Sequence, residues 1–125
     1  MIHGVGTDIV QVDRLRAALD RHGDEFAVRI LAASEHEAWR AARDPARFLA
    51  KRFAAKEAFG KALGTGVSAP ATLHALAVGH DAAGKPAFAY DERLAAHMAA
   101  QGLTAHLSLS DERDYVIALT VIECR

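Results

Sequence analysis

The sequence predicts a single α+β domain over residues 1–125, an antiparallel sheet with a long central helix packed on it. Three observations carry this prediction. Segments of strand and helix character follow one another as strand, several helices, two strands, helix, two strands, an order built on hairpins that offers no parallel β-α-β series. Residues 46–63 are mostly strong helix formers, closed by Gly64 at a C-cap position. Residues 103–110 alternate strictly, with Leu103, Ala105, Leu107 and Leu109 facing one way and Thr104, His106, Ser108 and Ser110 the other. A chain of 125 residues that is 51% hydrophobic and 25% charged has the composition of one folded domain.

The elements follow in order. Residues 2–10 mix β-branched residues with glycine over a strand's length, and from Val12 onward Leu15, Ala18 and Leu19 recur at helical spacing. Gly23 and Asp24 punctuate, and residues 25–31 continue as a short helix. Ser34 with Glu37 reads as a capping box for a helix over 34–43, and Pro45 restarts the chain into the long helix. After the loop at 64–72, residues 73–80 and 87–90 flank the turn at 81–86 as a hairpin. Asp91 caps a helix that ends at Gly102, and the turn at 111–114 joins the alternating strand to a last one over 115–123.

Charge and cysteine usage narrow the function. Fifteen Lys+Arg against sixteen Asp+Glu give a formal charge of −1, without the basic excess of a nucleic-acid or anionic-membrane binder. No run of eighteen apolar residues exists to span a membrane. The N-terminal stretch has no basic, apolar leader pattern and Cys124 has no partner for a disulfide, so a cytoplasmic protein is expected. A core this small is commonly reinforced by oligomerisation. The near-neutrality is uneven: residues 39–61 carry seven basic side chains against Asp44 and Glu57, a net +5 that the rest of the chain offsets with −6.

The residues with chemistry lie in two places. Gly4, Gly6 and Asp8 share one face of the first strand, a bare strip ended by a carboxylate that either caps the following helix or meets a cation. On the long helix Lys56 falls inside the apolar stripe of Leu49, Phe53, Gly60 and Leu63, where it either snorkels to water or is held by a carboxylate or phosphate. Glu57 and Lys61, one turn apart, form either a solvated ion pair or part of a site. Two carboxylates beside a cationic helix suit Mg²⁺ and a polyphosphate, because this hard ion keeps waters and shares its other positions with phosphate oxygens. Gly64 and Gly66 offer either backbone N–H groups to a phosphate or a plain C-cap, and His106 either meets an anion or sits on a wet face. No histidine spacing suits zinc, and Ser108 and Ser110 lack a nucleophile-elbow context.

Gly6-Thr7-Asp8 together with Phe53-Ala54-Ala55-Lys56-Glu57-Ala58 resembles the motif pair of the short, single-module class of 4′-phosphopantetheinyl transferases, and the order of elements agrees along nearly the whole chain. The resemblance implies that family's fold and the transfer of phosphopantetheine from coenzyme A to a serine of an acyl carrier protein. It implies Asp8 and Glu57 as Mg²⁺ ligands, Lys61 at the phosphates and leaving group, and Lys56 in local pairing with the acidic cluster and in contact with the cofactor. It further implies Arg52, Gly64, His106 and the turn of Gly84, Lys85 and Pro86 around coenzyme A, Arg14 and Arg21 against the acidic carrier, and a homotrimer with sites between subunits. Asp111 stands where many members of the class carry histidine. Two readings compete with this one: a Mg²⁺-dependent phosphodiesterase or nuclease, and a ferredoxin-like binding module without catalysis.

Overall fold

The computed structural model describes all 125 residues. The chain runs through β1 (Ile2–Gln11), α1 (Val12–His22), α2 (Asp24–Ile30), a 3₁₀ turn (Ala33–Glu35), α3 (His36–Arg40), α4 (Pro45–Leu63), β2 (Leu76–His80), β3 (Pro86–Tyr90), α5 (Glu92–Ala100), β4 (Leu103–Asp111) and β5 (Tyr115–Cys124). All strand pairs are antiparallel. They form two sheets, β1-β5-β4 and the hairpin β2-β3. The hairpin uses its buried residues Leu76 and Val78 to join the two hydrophobic clusters around α4 instead of extending the larger sheet.

α4 is the axis of the molecule. Asp44 caps it by accepting from the Arg47 N–H at 3.2 Å, Pro45 occupies its first turn, and Gly64 ends it at φ 94°, a left-handed conformation suited to glycine. One face lies directly on β1. A Cβ at Gly4 would overlap the carbonyl of Ala62, and one at Gly6 the carbonyl of Ala58. The strip of missing side chains thus lets helix backbone touch strand backbone. Small residues continue this close approach: Ala54, Ala55 and Ala58 of α4 are fully buried, as are Val116 and Ala118 of β5.

Two local expectations need correction. The helix predicted to start at Ser34 begins instead with the 3₁₀ turn, and Glu35, not Glu37, reaches back to accept the Ala32 N–H at 2.9 Å. The strand predicted from Leu73 starts only at Leu76, because the preceding residues form a turn in which Ala75 N–H donates to Thr72 and His74 Nε2 donates to the Val28 carbonyl at 2.8 Å. The alternation of β4 and the Asp91 cap of α5, which accepts from Leu94 N–H at 2.9 Å, are as predicted. No helix is long and apolar enough to cross a membrane.

Candidate functional site

The glycine strip decides where the two carboxylates meet. Because α4 rests on β1 at Gly4 and Gly6, Asp8, the next residue on that face, comes beside Glu57 near the middle of the helix. Asp8 does not cap α1: the residue at the cap is Gln11, and no side chain serves there. Lys61, one turn on from Glu57, donates to the Thr7 carbonyl at 2.9 Å and lies 3.4 Å from Asp8 Oδ1. Glu57 accepts no hydrogen bond from the protein. Burial and then the neighbouring charge of Asp8 push its carboxyl above the usual range, with Lys61 opposing. Asp8 and Glu57 open onto a cleft of about 530 Å³ whose other walls include Phe26, Phe53, Arg14 and Arg29.

Lys56 goes elsewhere. It is fully buried, and its Nζ donates to Glu35 Oε1 at 2.5 Å, the Ile30 carbonyl at 2.8 Å and the Leu73 carbonyl at 2.9 Å. All three donors of the ammonium are occupied. This corrects the expectations that Lys56 pairs with the Asp8–Glu57 cluster or contacts a cofactor: at about 100° per residue, position 56 turns toward the loops that α4 packs under, while 57 turns toward β1. Burial pulls the Lys56 pKa down, and Glu35 only partly restores it. The same glutamate, 3% exposed, also accepts from Val78 N–H at 3.0 Å and lies 3.3 Å from Arg52 Nε.

Arg52 belongs to a second cleft, of about 550 Å³, which shares no residue with the first. Its cationic wall is Arg43, Arg47, Lys51 and Arg52, with His80, Pro86 and Asp111 nearby. The Arg52 guanidinium sits 4.1 Å from the centre of the Phe48 ring and is pulled down in pKa by burial, while Glu35 opposes. Pro86 brings the β2–β3 turn to this cleft. In that turn Asp81 Oδ1 accepts from Ala83 and Lys85 N–H, both at 2.9 Å, and Gly84 adopts φ 85°.

The remaining sequence-predicted residues are spread more widely. The N–H groups of Gly64 and Gly66 both donate to the Gly60 carbonyl at 3.0 Å, so the expected backbone gift from Gly64 to a phosphate is corrected to a helix-terminating bond. His106 lies on the outer face of β4, 3.2 Å from Glu123 Oε1, and lines neither cleft. Arg14 flanks the carboxylate cleft, and Arg21 is exposed further along α1. Sequence reasoning missed Glu35 and Arg29. Nothing in the order of residues 34–37 separates Glu35 from Glu37, and Arg29 carries no motif.

The donor set at Asp8 and Glu57 fits a hard divalent cation. Two oxygen ligands from two elements, one unpartnered and held in repulsion with the other, gain by sharing a positive ion, and the open cleft leaves room for water and phosphate oxygens. No group of three or more His, Cys, Asp or Glu side chains could hold a metal, so a two-metal phosphodiesterase centre is not built here.

Comparison with known proteins bears on the chemistry. Residues 4–120 match the 4′-phosphopantetheinyl transferase superfamily. The chain is 68% identical to the holo-[acyl-carrier-protein] synthase of Azoarcus sp. (strain BH72) and 67% identical to that of Aromatoleum aromaticum, in each case over 125 residues and the full length of both chains. Among solved structures it resembles the holo-[acyl-carrier-protein] synthase from Neisseria meningitidis, with a TM-score of 0.94 and 45% identity over 98% of this chain and 99% of that one. It also resembles the Bacillus anthracis enzyme in complex with coenzyme A (3′,5′-ADP), with a TM-score of 0.84 and 31% identity over 100% and 99%.

Proposed function

The chain belongs to the 4′-phosphopantetheinyl transferase superfamily, and from that premise we propose how its own residues divide the work. It is a transferase of the holo-[acyl-carrier-protein] synthase kind, which moves 4′-phosphopantetheine from coenzyme A to a serine of apo acyl carrier protein and releases adenosine 3′,5′-bisphosphate. The serine oxygen gives up its proton to solvent and bonds to the β-phosphorus of coenzyme A as the bond from that phosphorus to the bridging oxygen breaks, and the bridging oxygen leaves with the adenosine bisphosphate.

The observation that carries the assignment of roles is the convergence of Asp8 and Glu57, the latter without a protein partner. These two would hold Mg²⁺, which when bound supplies positive charge to the pyrophosphate undergoing transfer. Lys61, anchored on the Thr7 carbonyl and beside Asp8, steadies charge on the phosphates and provides a proton for the leaving oxygen. Phe26 and Phe53 wall the cleft against water. Arg52 and the turn of Gly84, Lys85 and Pro86 serve the adenosine end of coenzyme A and its 3′-phosphate, and His106, which lines neither cleft of its own chain, would reach that end only across a contact between copies.

Two features support a homotrimer with sites between subunits. The metal pair and the cationic wall occupy separate clefts of one chain. In addition, Val5, Ile9, Ile117 and Leu119 stand exposed together on the outer face of β1 and β5, an apolar strip of the kind that a neighbouring copy covers. Arg14 and Arg21 line up along α1 to draw an acidic carrier toward the carboxylate cleft. The reaction fits a cytoplasmic enzyme that supplies holo carrier for fatty acid biosynthesis.

The direct test is incubation with coenzyme A, Mg²⁺ and an apo acyl carrier protein, read by intact mass. A phosphopantetheine increment on the carrier that disappears with a chelator is the expected result. An unmodified carrier would sink the transferase role, and modification undiminished by the chelator would sink the metal.

A further inference from the structure

The charged groups of the cationic cleft are committed to other partners to very different degrees. Asp44 is spent on the cap of α4 and on Arg16, 3.4 Å away. Arg47 is clamped four ways, donating to Asp111 Oδ2 at 2.9 Å and to the carbonyls of Glu112 and Arg113 at 2.6 Å each, with its Nε 3.5 Å from Asp44 Oδ2. Lys51 has a single counter-charge, Asp111 Oδ1 at 3.6 Å. The terminal nitrogens of Arg52 have no protein partner. The two oxygens of Asp111 therefore face two different cations, Arg47 and Lys51.

We infer that Asp111 is an internal competitor for the anion of this cleft, setting how tightly the adenosine end of coenzyme A is held and how readily the adenosine bisphosphate leaves. The inference rests on the assignment of this cleft to that end of coenzyme A. A phosphate entering the cleft meets a carboxylate already paired with Lys51. The lysine is the exchangeable partner, because Arg47 keeps its two carbonyl acceptors whatever Asp111 does. The Asp111 side chain is only 32% exposed, so water screens its repulsion of an incoming phosphate incompletely. Asp111 weakens binding of substrate and product alike, and a site whose product keeps the substrate's 3′-phosphate turns over faster for it.

Asp111→Asn tests this with little risk to the fold, since the amide oxygen still accepts from Arg47. With saturating apo carrier, the KM for coenzyme A and the inhibition constant for adenosine 3′,5′-bisphosphate should both fall about three- to fivefold, the range of a partly exposed charge interaction. The KM for carrier should stay unchanged. Adding Lys51→Met should erase the gain. Glu112→Gln, a neighbouring charge outside this cleft, should leave both coenzyme A constants where they were. Constants that are unchanged or raised in Asp111→Asn would overturn the inference, as would an equal fall in Glu112→Gln. Arg52→Gln, run in parallel, separates the two levels. If it leaves the KM for coenzyme A unaltered, the cleft does not bind coenzyme A and the underlying assignment fails; if it raises that KM while Asp111→Asn does nothing, only the role of Asp111 fails.

Discussion

Lys56 and Glu57 are neighbours in the chain, yet they belong to different kinds of ionic cluster. Lys56 lies in a closed one, with Glu35 and three hydrogen bonds accounting for its whole ammonium group. Glu57 lies in an open one, beside a like charge and without a hydrogen bond. Burial disfavours the charged form of both, but in the first case Glu35 and two carbonyls compensate the charge and in the second only Lys61 opposes the shift. A buried pair satisfied on all sides holds a fold together, whereas a pair of carboxylates left in repulsion is a place prepared for something absent from the polypeptide.

Variants that separate the two clusters should behave oppositely. The largest effect expected is on catalysis: Asp8→Asn or Glu57→Gln should slow transfer about a thousandfold, equivalent to roughly 4 kcal/mol of barrier, while the thermal midpoint of Glu57→Gln stays level or rises. Transfer rates by intact mass and a melting curve on the same sample check it; a Glu57→Gln variant that transfers normally would dissolve the contrast. On stability the order reverses. Lys56→Met should cost about 3–5 kcal/mol, because it leaves Glu35 buried without its main counter-charge, and adding Glu35→Gln should recover part of the loss. Denaturant titration of the single and double variants measures this, and strictly additive losses would mean the pair does not act as a unit.

How much of this was legible beforehand follows the same division. The element order, the long helix and the Asp8–Glu57–Lys61 trio could be read because each rests on local pattern: alternation in β4, helix formers in α4, and two short motifs. Lys56 was visible as an anomaly in an apolar stripe, but its partner was not. Glu35 is defined by contacts to Val78, Lys56 and Arg52, residues 17 to 43 positions away, and no periodicity reports on such distances. The sharing-out of Arg47 and Lys51 with Asp111 was hidden for the same reason, since it depends on how the β4–β5 turn folds over the start of α4.

Two smaller effects sharpen the comparison. Because its pKa in the folded protein lies above the usual value, Glu57 adds stability at low pH that is lost as pH rises through the raised pKa; above it the metal-free protein carries an unfavourable charge. Metal affinity should change the other way, rising over the same interval as the carboxylate ionises. Melting curves across pH with and without Mg²⁺ should therefore diverge upward in pH for the native chain and run parallel for Glu57→Gln. The smallest effect expected is at the surface. Neutralising Arg14 and Arg21 together should lower kcat/KM for the carrier severalfold at low salt and flatten its dependence on ionic strength. An unaltered salt profile would remove α1 from carrier recognition.

The contact of α4 with β1 at Gly4 and Gly6 has a consequence for ion choice. The carboxylates of Asp8 and Glu57 hang from two stretches of main chain pressed together with nothing between them, so their separation is gauged by backbone thickness, the least adjustable dimension a protein has. A single methyl group at position 6 would act as a shim, lifting the helix and widening the gap, and a Mg²⁺ site proposed at this pair should then favour a larger ion such as Mn²⁺ or Ca²⁺, which transfer rates with each ion would show.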